Sequence, residues 1–169
     1  YFDHLMKIAI LSDTHNYLSG IQTALNQLQQ EKIDTIIHCG DMTLAETVDA
    51  FRDYTIHHVW GNGDLDTIAI RFAIQECQAG SSTSEIYTDV LGGKRIAAIH
   101  GHNTRLLQAM IENGHFDYVF HGHTHRRRDE EIGGTRVINP GAIGGAFRSS
   151  RSFCILNLET NDLNYYPVG

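Results

Sequence analysis

Three times in its first half the chain runs through a short apolar stretch and then breaks into polar residues: "KIAILSD" from Lys7, "DTIIHCGD" from Asp34 and "TIHHVWGNGD" from Thr55. Runs of this length, rich in isoleucine and bounded by turn-forming residues, read as buried strands. Between the first two, Ile21, Ala24, Leu25 and Leu28 recur at helical spacing, which predicts an amphipathic helix over Leu18 to Gln30. Leu44 to Arg52 reads as a second, shorter helix. Strand–helix–strand order implies parallel strands joined by right-handed crossovers, so the class is α/β.

The second half has a different rhythm. Glu85 to Leu91 and Lys94 to His100 are strand-like runs joined by Gly92-Gly93, a hairpin signal. Asn103 is placed to cap a helix running through Asn113, and Phe116 to His121 is a further strand. From Arg127 onward three or four short strands follow, separated by glycine-rich and "ND" turns. This half reads as largely antiparallel. No linker, repeat or low-complexity segment interrupts the chain, so residues 6–169 are expected to form one domain. Tyr1 to Leu5 precede Met6, the natural start on this reading, and are set aside as a vector remnant or an upstream extension.

Composition narrows the function. With 41% hydrophobic and 20% charged residues the chain is of globular type. No apolar run approaches the roughly 20 residues of a membrane span, and no leader-like segment stands at the front. A cytoplasmic protein without a membrane partner is expected. Cys39, Cys77 and Cys154 lie far apart, with neither a disulfide framework nor a zinc-ribbon spacing. A formal net charge of −7 disfavours broad binding to nucleic acid, which needs a basic surface. Eleven histidines against 13 lysines and arginines suggest that metal ions supply local positive charge instead.

Position is the informative fact about those polar residues. Asp13 and His15 follow the first strand, Asp41 the second and Asn62 the third. His100 ends a hairpin strand, and His123 and His125 end the strand after it. In open α/β sheets the crevice beyond the carboxyl ends of the strands is where ligands bind. Any one of these residues alone reads as a turn residue or a helix cap. Five strand ends that all deliver a hard oxygen or an imidazole form a joint pattern that favours a metal site. Asp, His and Asn without a thiolate suit borderline or hard divalent ions. Seven donors are too many for one tetrahedral ion and suit two ions that share a carboxylate, spaced about 3.5–4 Å apart to clamp an in-line displacement at phosphorus. Two dications, two aspartates and one hydroxide leave a single positive charge, which suits a phosphodiester monoanion.

In order, "D13-T-H15", "G40-D41", "G61-N62-G-D64", "H100-G-H102" and "G122-H123-T-H125" resemble the five-motif signature of the calcineurin-like metallophosphoesterases. "MKIAILSDTHN" and the "N139-P140-G141" turn are most similar to the small YfcE-like phosphodiesterase group. The resemblance implies a four-layer α-β-β-α sandwich of two mixed sheets. It implies one ion held by Asp13, His15, Asp41 and His125 and another held by Asp41, Asn62, His100 and His123, with Asp41 bridging. Manganese, iron, nickel, zinc and cobalt all accept such ligands; manganese is favoured. A metal-bridging hydroxide would attack phosphorus opposite the leaving oxygen. The implied substrate is a small phosphodiester, and self-association is left open because family members often form homo-oligomers.

One departure stands out. Many members of the superfamily carry a histidine between the Asn and the acidic residue, where it assists the leaving group; here that position is Gly63. His102, two residues past His100, is the nearest candidate for a replacement acid. Asp64 is expected to orient a ligand imidazole, His121 to support its loop, and Arg126 to Arg128 to blunt a strand edge. Two other readings compete with the phosphodiesterase. A retromer subunit of the same fold binds protein partners with an impaired metal site, which makes a non-catalytic scaffold the alternative. A DNA-repair nuclease ranks lower, because such enzymes carry added DNA-binding domains that a short acidic chain lacks.

Overall fold

The structure is a computed structural model that describes residues 6–169; Tyr1 to Leu5, set aside above, lie outside the described residues. In chain order the elements are β1 (Lys7–Leu11), α1 (Leu18–Glu31), β2 (Thr35–His38), α2 (Ala45–Val48) and β3 (Thr55–Val59). Then come α3 (Thr67–Gln75), β4 (Ser82–Ser84), β5 (Tyr87–Leu91), β6 (Lys94–Ala98), α4 (Thr104–Glu112) and β7 (Tyr118–Phe120). The chain closes with β8 (Arg127–Ile132), β9 (Thr135–Pro140), β10 (Ser152–Asn157) and β11 (Leu163–Pro167). They build two sheets, one ordered β11-β10-β1-β2-β3-β4 and the other β5-β6-β7-β9-β8.

Strand parity explains how the layers stack. On β1, Ala9 and Leu11 point to the core beneath the first sheet, where they meet Ile21, Ala24, Leu25 and Leu28 of α1. Ile8 and Ile10 point the other way, into the core shared with Ile96, Ala98, Tyr118, Phe120 and Ile138 of the second sheet. A third core packs Ala97, Val119 and Val137 against Leu107, Met110 and Ile111 of α4. Strands such as β1 are buried on both faces, which is why they read as continuous apolar runs. Each fully buried isoleucine stabilises this arrangement by about 1.5–3 kcal/mol. The result is a four-layer α-β-β-α sandwich of two mixed sheets.

The sequence reading holds for α1 and for α4, where Asn103 caps by accepting from the Leu106 N–H. The expected short helix from Leu44 divides into α2 and a 3-10 turn, Asp49–Phe51. Two elements escape that reading. On α3 only Ile70 and Ile74 are buried while Ile68 and Phe72 are exposed, as is Leu65 just before it, so apolar residues surround the helix and blur its periodicity. β4 is three residues of serine and threonine that form a strand only by pairing in parallel with β3. The second half is largely antiparallel, as expected, through β5–β6, β8–β9 and β10–β11, but the centre of its sheet is not: β6 pairs in parallel with β7, and β7 with β9. The α4 crossover returns the chain in the same direction, and the β8–β9 hairpin then delivers β9 rather than β8 beside β7. β10 leaves that sheet and lies antiparallel to β1.

Candidate metal centre

β1, β2 and β3 run parallel, as do β6 and β7, so their carboxyl ends meet at one edge of the sandwich. The loops beyond them are knitted by backbone hydrogen bonds. Asp13 N–H donates to the Gly40 carbonyl (2.9 Å), His15 N–H to that of Asp41 (3.1 Å), and Gly122 N–H to that of His100 (3.0 Å). Asp13, His15, Asp41, His123 and His125 all adopt positive φ, between 43° and 65°; the neighbouring Asn16 (58°) and Thr43 (86°) are also left-handed. Left-handed backbone costs an ordinary residue roughly 1–2 kcal/mol. Strain of this kind persists only where the surroundings over-determine it, and it clusters at functional sites.

The structure brings all seven candidate ligands together. His125 Nε2 lies 3.1 Å from Asp13 Oδ1 and 3.3 Å from His15 Nε2. His15 Nε2 in turn stands 3.7 Å from Asp41 Oδ2. On the other side of Asp41, Oδ1 is 3.4 Å from His100 Nε2, which is 3.1 Å from Asn62 Oδ1. The His123 ring centroid is 5.1 Å from that of His100. Asp13, Asp41 and His100 are buried and form the floor; Asn62 and His123 are exposed at the rim, with His15 and His125 between. Two tight donor groups emerge, Asp13–His15–His125 and Asp13–Asp41–His100. Asp13 therefore belongs to both, alongside Asp41, which touches His15 on one side and His100 on the other.

The donor chemistry fits divalent cations. Asp13 Oδ1 is buried without a hydrogen bond, an orphaned carboxylate oxygen aimed at imidazole nitrogens. His15 and His125 face each other through their Nε2 atoms, where one proton at most can be shared. His100 donates Nδ1–H to the Cys39 carbonyl at 2.7 Å, which leaves Nε2 as the electron-pair donor, the arrangement usual for a metal-binding histidine. Burial works against charge on His100, but Asp41, Asp13 and the Cys39 carbonyl outweigh it and raise its pKa. The Asp13 carboxylate, 3.1 Å from its Nε2, raises that of His125 in the same way. Burial and the neighbouring His100 lower that of His123. Burial pushes Asp41 up, while His100 and the Gly63 N–H, 2.6 Å from Oδ1, pull it further down, so it ionises below the ordinary carboxylate range.

Asp64 does something other than expected. The imidazole it approaches, at 3.3 Å, belongs to His58 and not to any of the seven. Its carboxylate accepts backbone N–H groups instead: Met42 (2.7 Å) and Thr43 (2.9 Å) on Oδ1, Gly61 (2.8 Å) and Asp41 (3.3 Å) on Oδ2. It thereby ties the Asp41 turn to the Gly61–Asn62 turn, including Thr43, a β-branched residue at φ 86°. His121 is buried, its Nδ1 3.1 Å from the Gly122 carbonyl oxygen, and burial pushes its pKa down to about 4, in keeping with a loop support. His102 is exposed, its ring 5.5 Å from that of His100 and 6.3 Å from that of His123. β8, which begins at Arg127, is an edge strand with a charged, mostly exposed face.

Several supporting residues were given no role by the sequence. Ser12 donates its hydroxyl to Asp13 Oδ2. Asn139, fully buried, donates to the Gly122 carbonyl (2.9 Å) and Thr124 Oγ1 (3.1 Å), which clamps the His123 loop to the end of β9. His38 accepts from the Gly40 N–H on Nδ1, so its Nε2–H is directed to Thr14 Oγ1 at 3.1 Å; burial drives its pKa down to about 3. The available signal was a histidine inside an apolar strand run, since buried polar residues are the informative exceptions.

The calcineurin-like phosphoesterase superfamily profile matches residues 6–161. The chain belongs to that family. Among curated relatives, a phosphodiesterase of the archaeon Methanocaldococcus jannaschii is 29% identical over 159 residues, covering 93% of this chain and 96% of the relative. Among solved structures, an archaeal phosphodiesterase superposes with a TM-score of 0.90 at 29% identity, over 95% of this chain and 99% of the other. Vps29 of Entamoeba histolytica is similar at a TM-score of 0.70 and 25% identity, over 95% and 91%. The Escherichia coli phosphoesterase YfcE shares the fold at 0.66 and 17% identity, over 97% and 100%. No described helix is long and apolar enough to cross a membrane.

Proposed function

We propose that the protein is a metal-dependent phosphodiesterase. One divalent ion would be held by Asp13, His15, Asp41 and His125 and a second by Asp41, Asn62, His100 and His123. The observation that supports this most is the buried Asp13 Oδ1, which no aligned hydrogen bond satisfies, at the meeting point of imidazoles from opposite sheets. Divalent ions in such a site supply positive charge for the phosphoryl oxygens and a water acidic enough to attack near neutral pH. The chain's own groups do the rest. Asp64 holds the Asp41 backbone N–H, the Gly63 N–H fixes the Asp41 carboxylate, and the Cys39 carbonyl fixes the His100 ring. His102, exposed beside His100 and His123, would give a proton to the leaving oxygen. A diester is favoured over a monoester because the M. jannaschii relative is named a phosphodiesterase and because the site's charge suits a monoanion.

The test is hydrolysis of bis-p-nitrophenyl phosphate by metal-stripped protein refilled with manganese, beside the Asp41→Asn variant and the monoester p-nitrophenyl phosphate. Diester turnover that needs metal and disappears with Asp41 supports the proposal. Gly63 favours the alternative, a scaffold like the one suggested by the Vps29 likeness. A Cβ there would stand 2.9 Å from Asp41 Cγ, so no side chain capable of proton transfer fits without displacing the carboxylate. Because p-nitrophenolate leaves without a proton, Gly63 cannot account for a failure. Metal binding without turnover of either ester would replace the enzyme with the scaffold.

A further inference from the structure

Beside the centre lies a cleft of about 300 Å3 lined by Trp60, Gly61, Thr67, Arg71, Glu85 and His102. Two of its walls are shared with the metal centre. A Cβ on Gly61 would lie 2.1 Å from Asp41 Oδ1, and the His102 ring stands 5.5 Å from that of His100. The cleft therefore adjoins the side of the site formed by Asn62, His100 and His123. Arg52, Arg95, Arg128 and Arg136 each face a carboxylate at ion-pair distance. Arg71 faces none among the described residues, and neither does Glu85 face a cation. Thr67 opens α3, so the positive end of that helix also lies at the cleft, although Asp66 caps its Ala69 N–H.

We propose that this cleft is a subsite for one substituent of the phosphodiester and that Arg71 selects substituents bearing a second anionic group. The proposal rests on the phosphodiesterase reading of the neighbouring centre. A guanidinium without a carboxylate partner keeps its full fork of donors for a phosphate or carboxylate. Glu85, in the same cleft, opposes anions and sets the counterweight. The two charges therefore predict opposite effects on removal, which a loss of folding cannot imitate.

The test compares the calorimetric affinities of thymidine 3′,5′-bisphosphate and thymidine 5′-phosphate for manganese-reconstituted protein. Trp60, the chain's single tryptophan, lines the cleft and gives a fluorescence signal for its occupancy. The wild type is expected to prefer the bisphosphate roughly ten-fold, the worth of one charge-assisted hydrogen bond at a partly exposed site. Arg71→Met should bring that ratio to about one, whereas Glu85→Gln should raise it by roughly two- to five-fold. Equal wild-type affinities, or a ratio that survives Arg71→Met, would overturn the subsite. Failure to hydrolyse bis-p-nitrophenyl phosphate with the affinity ratio intact overturns the phosphodiesterase instead and leaves the anion-selective cleft standing.

Discussion

Replacing Asp64 by asparagine isolates the device that holds two of the site's loops in place. The carboxylate is largely buried and accepts from the Met42 and Thr43 N–H groups on one oxygen and from Gly61 and Asp41 on the other. Whichever way an amide is turned, its NH2 group must face two backbone donors. A buried N–H left without an acceptor costs about 1–3 kcal/mol, so Asp64→Asn should lose about 3 kcal/mol, or roughly 6–12 °C in Tm for a chain of this size. Urea titration of the metal-free protein measures this without interference from bound ions. The loss should depend on pH. Burial raises the Asp64 pKa, but the His58 imidazole and the Thr43 and Gly61 N–H groups outweigh it, so the folded value is depressed. A depressed carboxyl contributes stability that is present above its unfolded pKa of about 3.9 and is lost as pH falls toward the folded value. The wild type should therefore destabilise below pH ~4 more steeply than the variant. Manganese affinity should fall as well, because Thr43 and Asp41 hold positive φ only while their N–H groups are anchored. A variant within about 0.5 kcal/mol of wild type, with unchanged metal affinity, would refute the reasoning.

Gly61→Ala would put a Cβ 2.4 Å from the Asp41 backbone nitrogen as well as against its carboxylate, and backbone cannot step aside as a flexible side chain can; calorimetry should show manganese affinity reduced by at least about ten-fold, within the range seen when a metal site's support is disturbed. In the metal-free protein the raised His100 and His125 values mean that their charged pairing with Asp41 and Asp13 stabilises fully below pH ~6.5 and is lost as pH rises through the folded values. Manganese affinity, titrated over the same window, should run the opposite way and rise with pH, since protons and metal compete for the same nitrogens. His102→Ala should leave p-nitrophenolate release nearly unchanged and slow hydrolysis of diphenyl phosphate by about 100-fold or more, as expected when a general acid is removed from a reaction that needs one. Equal effects on both esters would exclude that role.

How legible the site was depends on the kind of information each part needed. Asp13, Asp41, Asn62, His100, His123 and His125 stood out because each is a metal-competent side chain at the end of an apolar run. The role of Asp64 did not, because a carboxylate that serves four backbone N–H groups looks in sequence like any turn aspartate. The roles of Asn139, noted only as part of a turn, and of His38 were hidden for a related reason: they act through loops brought to them by other strands. α3 was missed because Ile68 and Phe72, apolar but exposed, blur the stripe made by Ile70 and Ile74. The two parallel pairings at the centre of the second sheet were not legible because β9 overtakes β8 to lie beside β7, and no local pattern shows which strands become neighbours.

By itself the sequence determined the chemistry on offer: oxygen and imidazole donors, without thiolates, at the carboxyl ends of strands whose apolar pattern reports burial. Such patterns are local, written in steps of two along strands and of three or four along helices. Only the tertiary structure decided which donors meet. His15 and His125 are 110 residues apart in the chain, yet their Nε2 atoms lie 3.3 Å from each other because two sheets pack face to face with their strand ends at a common edge. The same packing supplies the acceptors for the Asp13, Asp41 and His123 N–H groups, the Gly40 carbonyl and the Asp64 and Asp13 carboxylates, that hold these residues in left-handed conformations their own side chains disfavour. No local preference encodes that strain; it exists because the buried cores on either side of the sheets outweigh it.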